Sequence, residues 1–182
     1  MSNGSMATIA GNYTTTHERI LQAVEPLSQA ELDWTGGPKA PSIAFHLWHT
    51  ARYADYVAEV IWGPGSQIWE QEHLAELWGL SANLGPLGTG MEMDETTSTT
   101  LPLPSKQTLI EYAQRAFMHG NAAVQSITDE QFNEVHPDRY GTVYKEHILG
   151  PTILTFLTHS NRHLGMIEAI KGIQGMRGTA TR

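Results

Sequence analysis

Two histidines, His159 and His163, are the residues of this sequence whose type and spacing point most directly to chemistry. They lie in a segment predicted to be helical, where residues four apart project from the same face, one turn from each other. Imidazole nitrogen is a common ligand of zinc, iron, nickel and copper. The spacing therefore indicates two ligands of one metal ion, and any further ligand has to come from another part of the chain.

The leading source of a further ligand is the earlier segment that contains His46 and His49. Three residues along a helix advance about 300°, which splays the two side chains. This pair is therefore less suited to binding one ion than His159 and His163 are.

The composition indicates a single globular domain over residues 1–182, with 40% hydrophobic and 16% charged residues. No apolar run approaches the roughly 20 residues that a membrane-spanning helix needs. The first residues lack the basic and apolar regions of a signal peptide, so we expect a cytoplasmic protein that does not interact with membranes. The chain has no cysteine. Protein ligands to a metal must therefore be nitrogen or oxygen, and any thiol chemistry needs a thiol from outside.

The net charge of −8 argues against a nucleic-acid partner, which would require clustered lysine and arginine. The excess of acid falls between Arg52 and Lys106, a stretch that contains no basic residue. Its acidic residues are Asp55, Glu59, Glu70, Glu72, Glu76, Glu92, Asp94 and Glu95. They form either a solvated loop that aids solubility or a cover over a site that favours neutral or cationic substrates.

The hydrophobic periodicity predicts an all-α fold, a four-helix bundle with a long irregular loop, residues 63–104, between the second and third helices. No strand is predicted. The long helices are expected at 13–26, 42–62, 105–127 and 151–175, with Ser105 as an N-cap and Pro151 at a first helical position. Shorter elements are expected at 28–34 and 128–131, each opened by a capping box, and at 68–78; the tail, 177–182, is expected to fray.

A helical wheel at about 100° per residue places His159 and His163 in one sector with Phe156, Met166 and Ile170. This sector is the predicted buried stripe of the fourth helix. The histidines are therefore expected to point into the protein.

The same wheel on the second helix places His49 in an apolar sector with Phe45, Tyr53, Tyr56 and Val60. Arg52, Asp55 and Glu59 point away from this apolar sector. An unpartnered buried imidazole costs about 1–3 kcal/mol. Either hydrogen bonds in the core or a shared metal ion would remove that cost, and spacing alone leaves both readings open.

Two segments resemble the DinB superfamily of metal-binding four-helix bundles. Residues 41–53, Pro-Ser-Ile-Ala-Phe-His-Leu-Trp-His-Thr-Ala-Arg-Tyr, are similar to the second helix of that family, with His49 at the histidine position. Residues 159–167, His-Ser-Asn-Arg-His-Leu-Gly-Met-Ile, are similar to its fourth helix, although Met166 stands where the family often has glutamine. The resemblance implies that His49, His159 and His163 bind a divalent ion with open coordination positions. Zinc is favoured, with nickel or iron as alternatives.

Two neighbours of these histidines are candidates for a catalytic role because of their wheel positions. Tyr53 lies one turn beyond His49, and His46 lies at the edge of the same apolar sector. The remaining histidines are interpreted as surface or structural residues: His17, His73, His119, His136 and His147.

The function that the resemblance favours is a thiol S-transferase, which joins a low-molecular-weight thiol to a small-molecule electrophile. Arg52, Arg115 and Arg162 are candidates to anchor the carboxylates of such a thiol. A metal-dependent hydrolase is the second possibility, with Asp94, Glu92 or His46 as the general base. The third is a non-catalytic, stress-response type of bundle. A homodimer is expected for a short bundle of this kind.

Overall fold

The computed structural model describes residues 4–80, 83–137 and 146–178. In these ranges the chain is mostly helical, which confirms the all-α class. The α-helices are α1 (Ser5–Val24), α2 (Gln29–Asp33), α3 (Ile43–Trp62), α4 (Ile68–Gln71), α5 (Leu74–Leu77), α6 (Glu95–Thr100), α7 (Lys106–Gln125) and α8 (Leu149–Ile173). A 3-10 helix, Glu130–Asn133, precedes two short strands, β1 (Val135–Pro137) and β2 (Glu146–Ile148).

Helix α3 is the centre of the protein. It begins after Ser42, whose hydroxyl accepts a hydrogen bond from the backbone N–H of Phe45, and it stops at Gly63, which has a φ of 103°. It packs between α7 and α8, and α1 packs against those same two helices. All residues from 43 to 59 are buried. Residues 43–59 of this helix therefore have no solvent-exposed face, and the prediction that Arg52, Asp55 and Glu59 turn away from the buried side is wrong.

A glycine allows α3 and α7 to approach closely. A Cβ atom on Gly120 of α7 would lie 2.5 Å from the carbonyl oxygen of Ala54 on α3. The absence of a side chain at this position thus lets the two backbones come into contact.

The bounds of two long helices differ from the prediction. Helix α1 starts at Ser5 rather than residue 13, because Met6, Ala10 and Tyr13 extend its buried stripe. The carboxylate of Asp129 also accepts a hydrogen bond from the backbone N–H of Met6 at 2.7 Å. Helix α8 starts at Leu149, which places Pro151 inside its first turn, where a missing N–H costs nothing.

The strands β1 and β2 were not predicted from the sequence. They pair in antiparallel fashion, with His136 opposite His147. Three residues are too few to produce a recognisable alternation of apolar and polar side chains.

The predicted capping boxes have different outcomes. The first is present in full, since Ser28 and Glu31 bond each other's backbone N–H groups at the start of α2. In the second, the Gln131 side chain accepts from the N–H of Thr128, but no side chain caps the 3-10 helix that follows. The N-cap at Ser105 is confirmed.

The 63–104 segment is more ordered than an irregular loop. The single helix expected at 68–78 is divided into α4 and α5 at His73, which adopts a left-handed φ of 50°. Several of its acids also have structural partners. The side chain of Glu72 pairs with Arg115, and that of Asp94 caps α6 by accepting from the N–H of Thr97.

Within the described ranges, no helix combines the length and the apolar character needed to cross a membrane. Residues 179–182 of the predicted frayed tail lie outside those ranges.

Candidate metal centre

Three histidine side chains from two helices converge on one point in the interior. His49 projects from α3, and His159 and His163 project from α8. The Nε2 atom of His159 lies 3.1 Å from Nε2 of His49 and 3.1 Å from Nε2 of His163. The three residues offer ligand atoms that all lie within 4.8 Å of one another. The structure thus brings together the residues that the spacing and the resemblance singled out.

A backbone carbonyl determines which nitrogen of His49 carries the proton. Nδ1 of His49 lies 2.5 Å from the carbonyl oxygen of Thr89. A carbonyl can only accept a hydrogen bond, so Nδ1 must be the protonated nitrogen. The lone pair of the neutral ring is then on Nε2, which faces the other two histidines.

The ring of His46 contacts Nδ1 of His163, as the Thr89 carbonyl contacts Nδ1 of His49. The two Nδ1 atoms lie 2.9 Å apart, in the interior, so one of them donates and the other accepts. When His163 is the donor, its Nε2 atom is left with a free lone pair that faces His159. Hydrogen bonds of this kind to the second nitrogen orient metal-binding histidines and select their tautomer.

The remaining ring nitrogen of the cluster has no such contact. Nδ1 of His159 is buried, and it has no hydrogen-bond partner among the described residues. The rings of His49 and His163 are therefore oriented by a hydrogen bond to Nδ1, whereas Nδ1 of His159 has no such bond and that ring is oriented by packing.

Burial keeps all of these imidazoles neutral at physiological pH. Desolvation is the main cause in each case, and it lowers the pKa of His46 to about 4, of His49 to about 3, of His159 to about 4 and of His163 to about 2. The neighbouring imidazoles lower the pKa of His49 and His163 further. Metal binding requires the unprotonated form, so protons do not compete for these nitrogens near pH 7.

The donor set fits a divalent ion of the zinc, nickel or iron type. Nitrogens that lie about 2.0–2.1 Å from a shared ion would be roughly 3 Å from each other, which matches the two 3.1 Å separations. No carboxylate joins the cluster in the part of the chain that the structure describes. Three neutral nitrogens leave coordination positions for water or substrate.

Tyr53 lies against the cluster, as its wheel position suggests. Its ring centroid is 4.3 Å from that of His159 and 4.9 Å from that of His49. The aromatic ring of Tyr53 also forms part of the wall of an adjacent cavity.

That cavity has a volume of about 320 Å³, which is within the range of small-molecule sites. It lies between α3, the 87–91 segment, β2 and the start of α8, and it reaches His159. Its walls are mainly apolar and aromatic: Tyr53, Tyr56, Leu87, Met91, Ile148, Pro151 and Phe156, with Glu146, His147, Thr152, Thr155 and His159. The cavity can therefore hold an apolar group next to the histidine cluster.

The structure corrects two details of the fourth-helix prediction. Met166 is 39% exposed and does not belong to the buried stripe. Ser160 and Ile167 are buried instead. An idealised wheel misplaces residues at the edge of a stripe, because only the neighbouring helices decide where the buried face ends.

Several other candidate residues are placed away from the cluster. The Arg52 side chain is fully buried, so it cannot anchor a carboxylate that arrives from solvent. The Arg115 side chain pairs with Glu72 at the surface. As potential bases, Glu92 is exposed and Asp94 caps α6, and neither joins the histidine cluster.

Four of the other described histidines make structural contacts. His17 is in the core and bonds Asn121 at 2.8 Å, and His147 is in the core and lies 3.2 Å from the hydroxyl of Tyr56. His119 and His136 each contact a backbone carbonyl. His73 is exposed at the junction of α4 and α5.

Sequence reasoning missed the contribution of the segment around Thr89. Gly88 and Gly90 flank it, and both have positive φ, of 59° and 88°. A Cβ atom on Gly90 would lie 2.8 Å from the Trp48 ring and 3.1 Å from Nδ1 of His49. The Gly-Thr-Gly pattern was the available signal, because glycines permit such a close approach of backbone to a site.

The fold and the cluster define a helical protein with a possible three-histidine metal site. The model of the DinB superfamily matches residues 12–167, and the chain belongs to that superfamily. This confirms the resemblance seen in the two histidine-bearing segments.

A conserved protein of Enterococcus faecalis, known from a crystal structure, is similar in fold. The two chains superpose with a TM-score of 0.70 at 16% sequence identity, over 94% of this chain and 99% of the other. No curated protein matches the sequence.

Proposed function

We propose that His49, His159 and His163 bind a divalent metal ion, with zinc favoured, and that the protein is a metal-dependent thiol S-transferase. The observation that carries this proposal is the convergence of three neutral Nε2 atoms beside a largely apolar cavity. We further propose that the four long helices form a four-helix bundle and a single domain, as in the family.

The chemistry follows from the arrangement of the site. A bound dication lowers the pKa of a thiol and so makes a thiolate available at neutral pH. Sulfur then bonds to the electrophilic carbon of the substrate, the bond from that carbon to the leaving group breaks, and the leaving group takes the electron pair. The thiol proton passes to solvent. The chain has no cysteine, so the thiol is a separate small molecule.

The protein residues around the cluster have distinct roles in this proposal. The apolar walls of the cavity, with Phe156 and Tyr53, bind the electrophile and exclude water. We assign Tyr53 the role of a hydrogen-bond partner of a reacting group, a role supported by the packing of its ring on His159 and His49. His46 and the Thr89 carbonyl hold the rings of His163 and His49.

The hydrolase alternative is less favoured because activation of water by a metal site usually relies on a nearby general base. Among the described residues no carboxylate joins the cluster, Glu146 lines the cavity but is exposed to solvent, and His46 is already engaged with His163. A thiol has a pKa of about 8.5 against about 15.7 for water, so it loses its proton to solvent more readily and depends less on a nearby base.

The test combines metal analysis with two activity assays. The purified protein is analysed for bound metal, then incubated with a panel of low-molecular-weight thiols and 1-chloro-2,4-dinitrobenzene, and separately with p-nitrophenyl acetate. We expect metal-dependent consumption of thiol that His163→Asn abolishes. His73→Asn is the matched control, since His73 is exposed and asparagine tolerates its left-handed backbone.

Two results would overturn the proposal. Thiol consumption no faster than that of the metal-stripped protein would exclude the transferase. Metal-dependent ester cleavage without thiol consumption would establish the hydrolase instead.

A further inference from the structure

Arg52 is a fully buried charged residue on the central helix, one turn from His49. Its Nη1 atom lies 3.2 Å from the carboxylate of Asp55 and donates to the hydroxyl of Tyr112, also at 3.2 Å. Its guanidinium carbon lies 4.6 Å from the centre of the Trp69 ring. Burial of an arginine is tolerated only when its charge and donors are satisfied, as they are here.

The remaining donors of Arg52 bind the segment that leads to Thr89. Its Nε–H donates to the carbonyl of Gly88 at 2.9 Å, and Nη2 donates to Oε1 of Gln67 at 2.9 Å. Asp55 binds the beginning of the same segment, because its carboxylate accepts from the backbone N–H groups of Ile68 and Trp69 at 2.9 and 2.8 Å. The ion pair therefore connects both ends of the 67–88 stretch to α3.

The residue after Gly88 is Thr89, whose carbonyl accepts the hydrogen bond from Nδ1 of His49. Two side chains of one helix, Arg52 and His49, thus bond consecutive carbonyls of one tight turn. Thr89 is fully buried. A shift of the Gly88 carbonyl away from Arg52 would therefore move the acceptor on which the tautomer of His49 depends.

We propose that Arg52 is a positioning residue for the metal centre. It holds the Gly88–Thr89 turn against α3, so that the Thr89 carbonyl keeps the proton of His49 on Nδ1 and leaves Nε2 free to bind the ion. This inference rests on the proposed three-histidine metal site.

The first test compares the cobalt(II) affinity of Arg52→Lys and Arg115→Lys, measured by visible absorption on the full chain. Lysine at position 52 keeps the positive charge beside Asp55, but it cannot bond Asp55, Gln67 and the Gly88 carbonyl together. Arg115 bonds Glu72 of the same long segment, at the surface and away from the turn. We expect about 10-fold weaker binding for Arg52→Lys and unchanged binding for Arg115→Lys. Equal affinity of Arg52→Lys and the native protein would overturn the inference.

The second test reads the tautomer of His49 directly, from the ¹⁵N shifts of its ring nitrogens in the metal-free protein. We expect protonated Nδ1 in the native protein and a mixture of tautomers in Arg52→Lys. A loss of general stability would lower the melting temperature without changing these shifts. An unchanged tautomer in Arg52→Lys would contradict the proposal.

Gly90→Ala provides a variant that leaves the buried charges intact. Its Cβ would press on Trp48 and His49, and so displace the same turn. We expect it to weaken cobalt binding and to mix the tautomers in the same way as Arg52→Lys. If Gly90→Ala has both effects and Arg52→Lys has neither, the turn matters and Arg52 does not position it.

The two tests separate the inference from the proposed function. A native protein that does not bind cobalt through His163 would refute the metal centre. The shifts of His49 in the metal-free protein would still decide the role of Arg52.

Discussion

Nδ1 of His46 lies 2.9 Å from Nδ1 of His163, and the contact joins α3 to α8 behind the proposed metal ligand. The geometry makes His46 an acceptor that orients His163 when His163 donates. We therefore expect His46→Leu to weaken metal binding by about 10-fold or more, because His163 loses its partner. His46→Asn places an amide oxygen near the position of Nδ1 and should retain most of the affinity. Isothermal titration with zinc measures both variants, and equal affinities for the two would contradict the orienting role.

Metal-free protein should lose stability as the pH falls below about 6.5, the pKa of histidine in the unfolded chain. In the folded protein, burial lowers the pKa of His17 to about 4, of His49 to about 3 and of His163 to about 2. The unfolded chain therefore binds more protons between pH 6.5 and 4, and the free energy of unfolding decreases there by up to about 1.4 kcal/mol per pH unit for each histidine.

Urea unfolding of the metal-free protein between pH 8 and 5 measures this dependence. His163→Leu should flatten the slope, since it removes one of the buried imidazoles. A urea midpoint that stays constant from pH 7 to 5 would show that these histidines are not buried in the neutral form.

Asp55→Asn should destabilise the protein by about 3 kcal/mol or more, because it leaves the buried Arg52 charge without its counter-ion. The amide also weakens the two bonds to the backbone of Ile68 and Trp69. Glu72→Gln is the matched control, since the Glu72–Arg115 pair is at the surface and should contribute less than about 1 kcal/mol. Chemical denaturation of both variants measures their free energies of unfolding. Similar losses of stability in the two would show that the buried Arg52–Asp55 pair contributes no more than the surface pair.

Gly120→Ala and Gly11→Ala should have opposite effects, although both replace a glycine in a long helix. The new Cβ at position 120 would lie 2.5 Å from the Ala54 carbonyl and force α3 and α7 apart. At position 11 nothing lies within 4 Å, so the intrinsic helix preference of alanine should add about 1 kcal/mol. Melting temperatures test this directly: a stable Gly120→Ala protein would mean that the two helices can separate at little cost.

Tyr53→Phe should separate catalysis from metal binding. The ring of Tyr53 packs on His159 and His49, and phenylalanine preserves those contacts. Loss of the hydroxyl should lower kcat for thiol transfer by about 10-fold or more, while zinc affinity stays within about twofold. Tyr13→Phe serves as the comparison, because the hydroxyl of Tyr13 is buried, has no hydrogen-bond partner among the described residues and does not line the cavity. An unchanged kcat in Tyr53→Phe would remove Tyr53 from the proposed reaction.

Local patterns in the sequence were enough to predict the helical class and the inward orientation of His49, His159 and His163, whereas their selection as metal ligands came from the resemblance to the DinB superfamily. The spacing of His159 and His163 places both rings on one side of any α-helix. The apolar residues at helical spacing around His49 indicate that His49 lies on the apolar side of α3. Capping by Ser28, Ser42 and Ser105 depends only on residues within one turn, so the starts of those helices could also be predicted from the sequence.

Contacts between distant parts of the chain could not be derived in this way. The helical wheel turned Arg52 and Asp55 away from the apolar sector of α3, yet a segment more than ten residues later covers them and satisfies their charges. The start of α1 depends on Asp129, and β1 and β2 stabilise each other rather than following a pattern of their own.

The sequence by itself determined that His49, His159 and His163 face inward from two helices, because helical periodicity is a local property of the chain. Only the tertiary structure decided how their nitrogens are oriented. The Thr89 carbonyl reaches His49 and the ring of His46 reaches His163 through contacts 40 and 117 residues apart in sequence. Such contacts form when the helices and the 63–104 segment pack together, since hydrogen bonds across the interior depend on the position of the whole backbone and not on residue spacing.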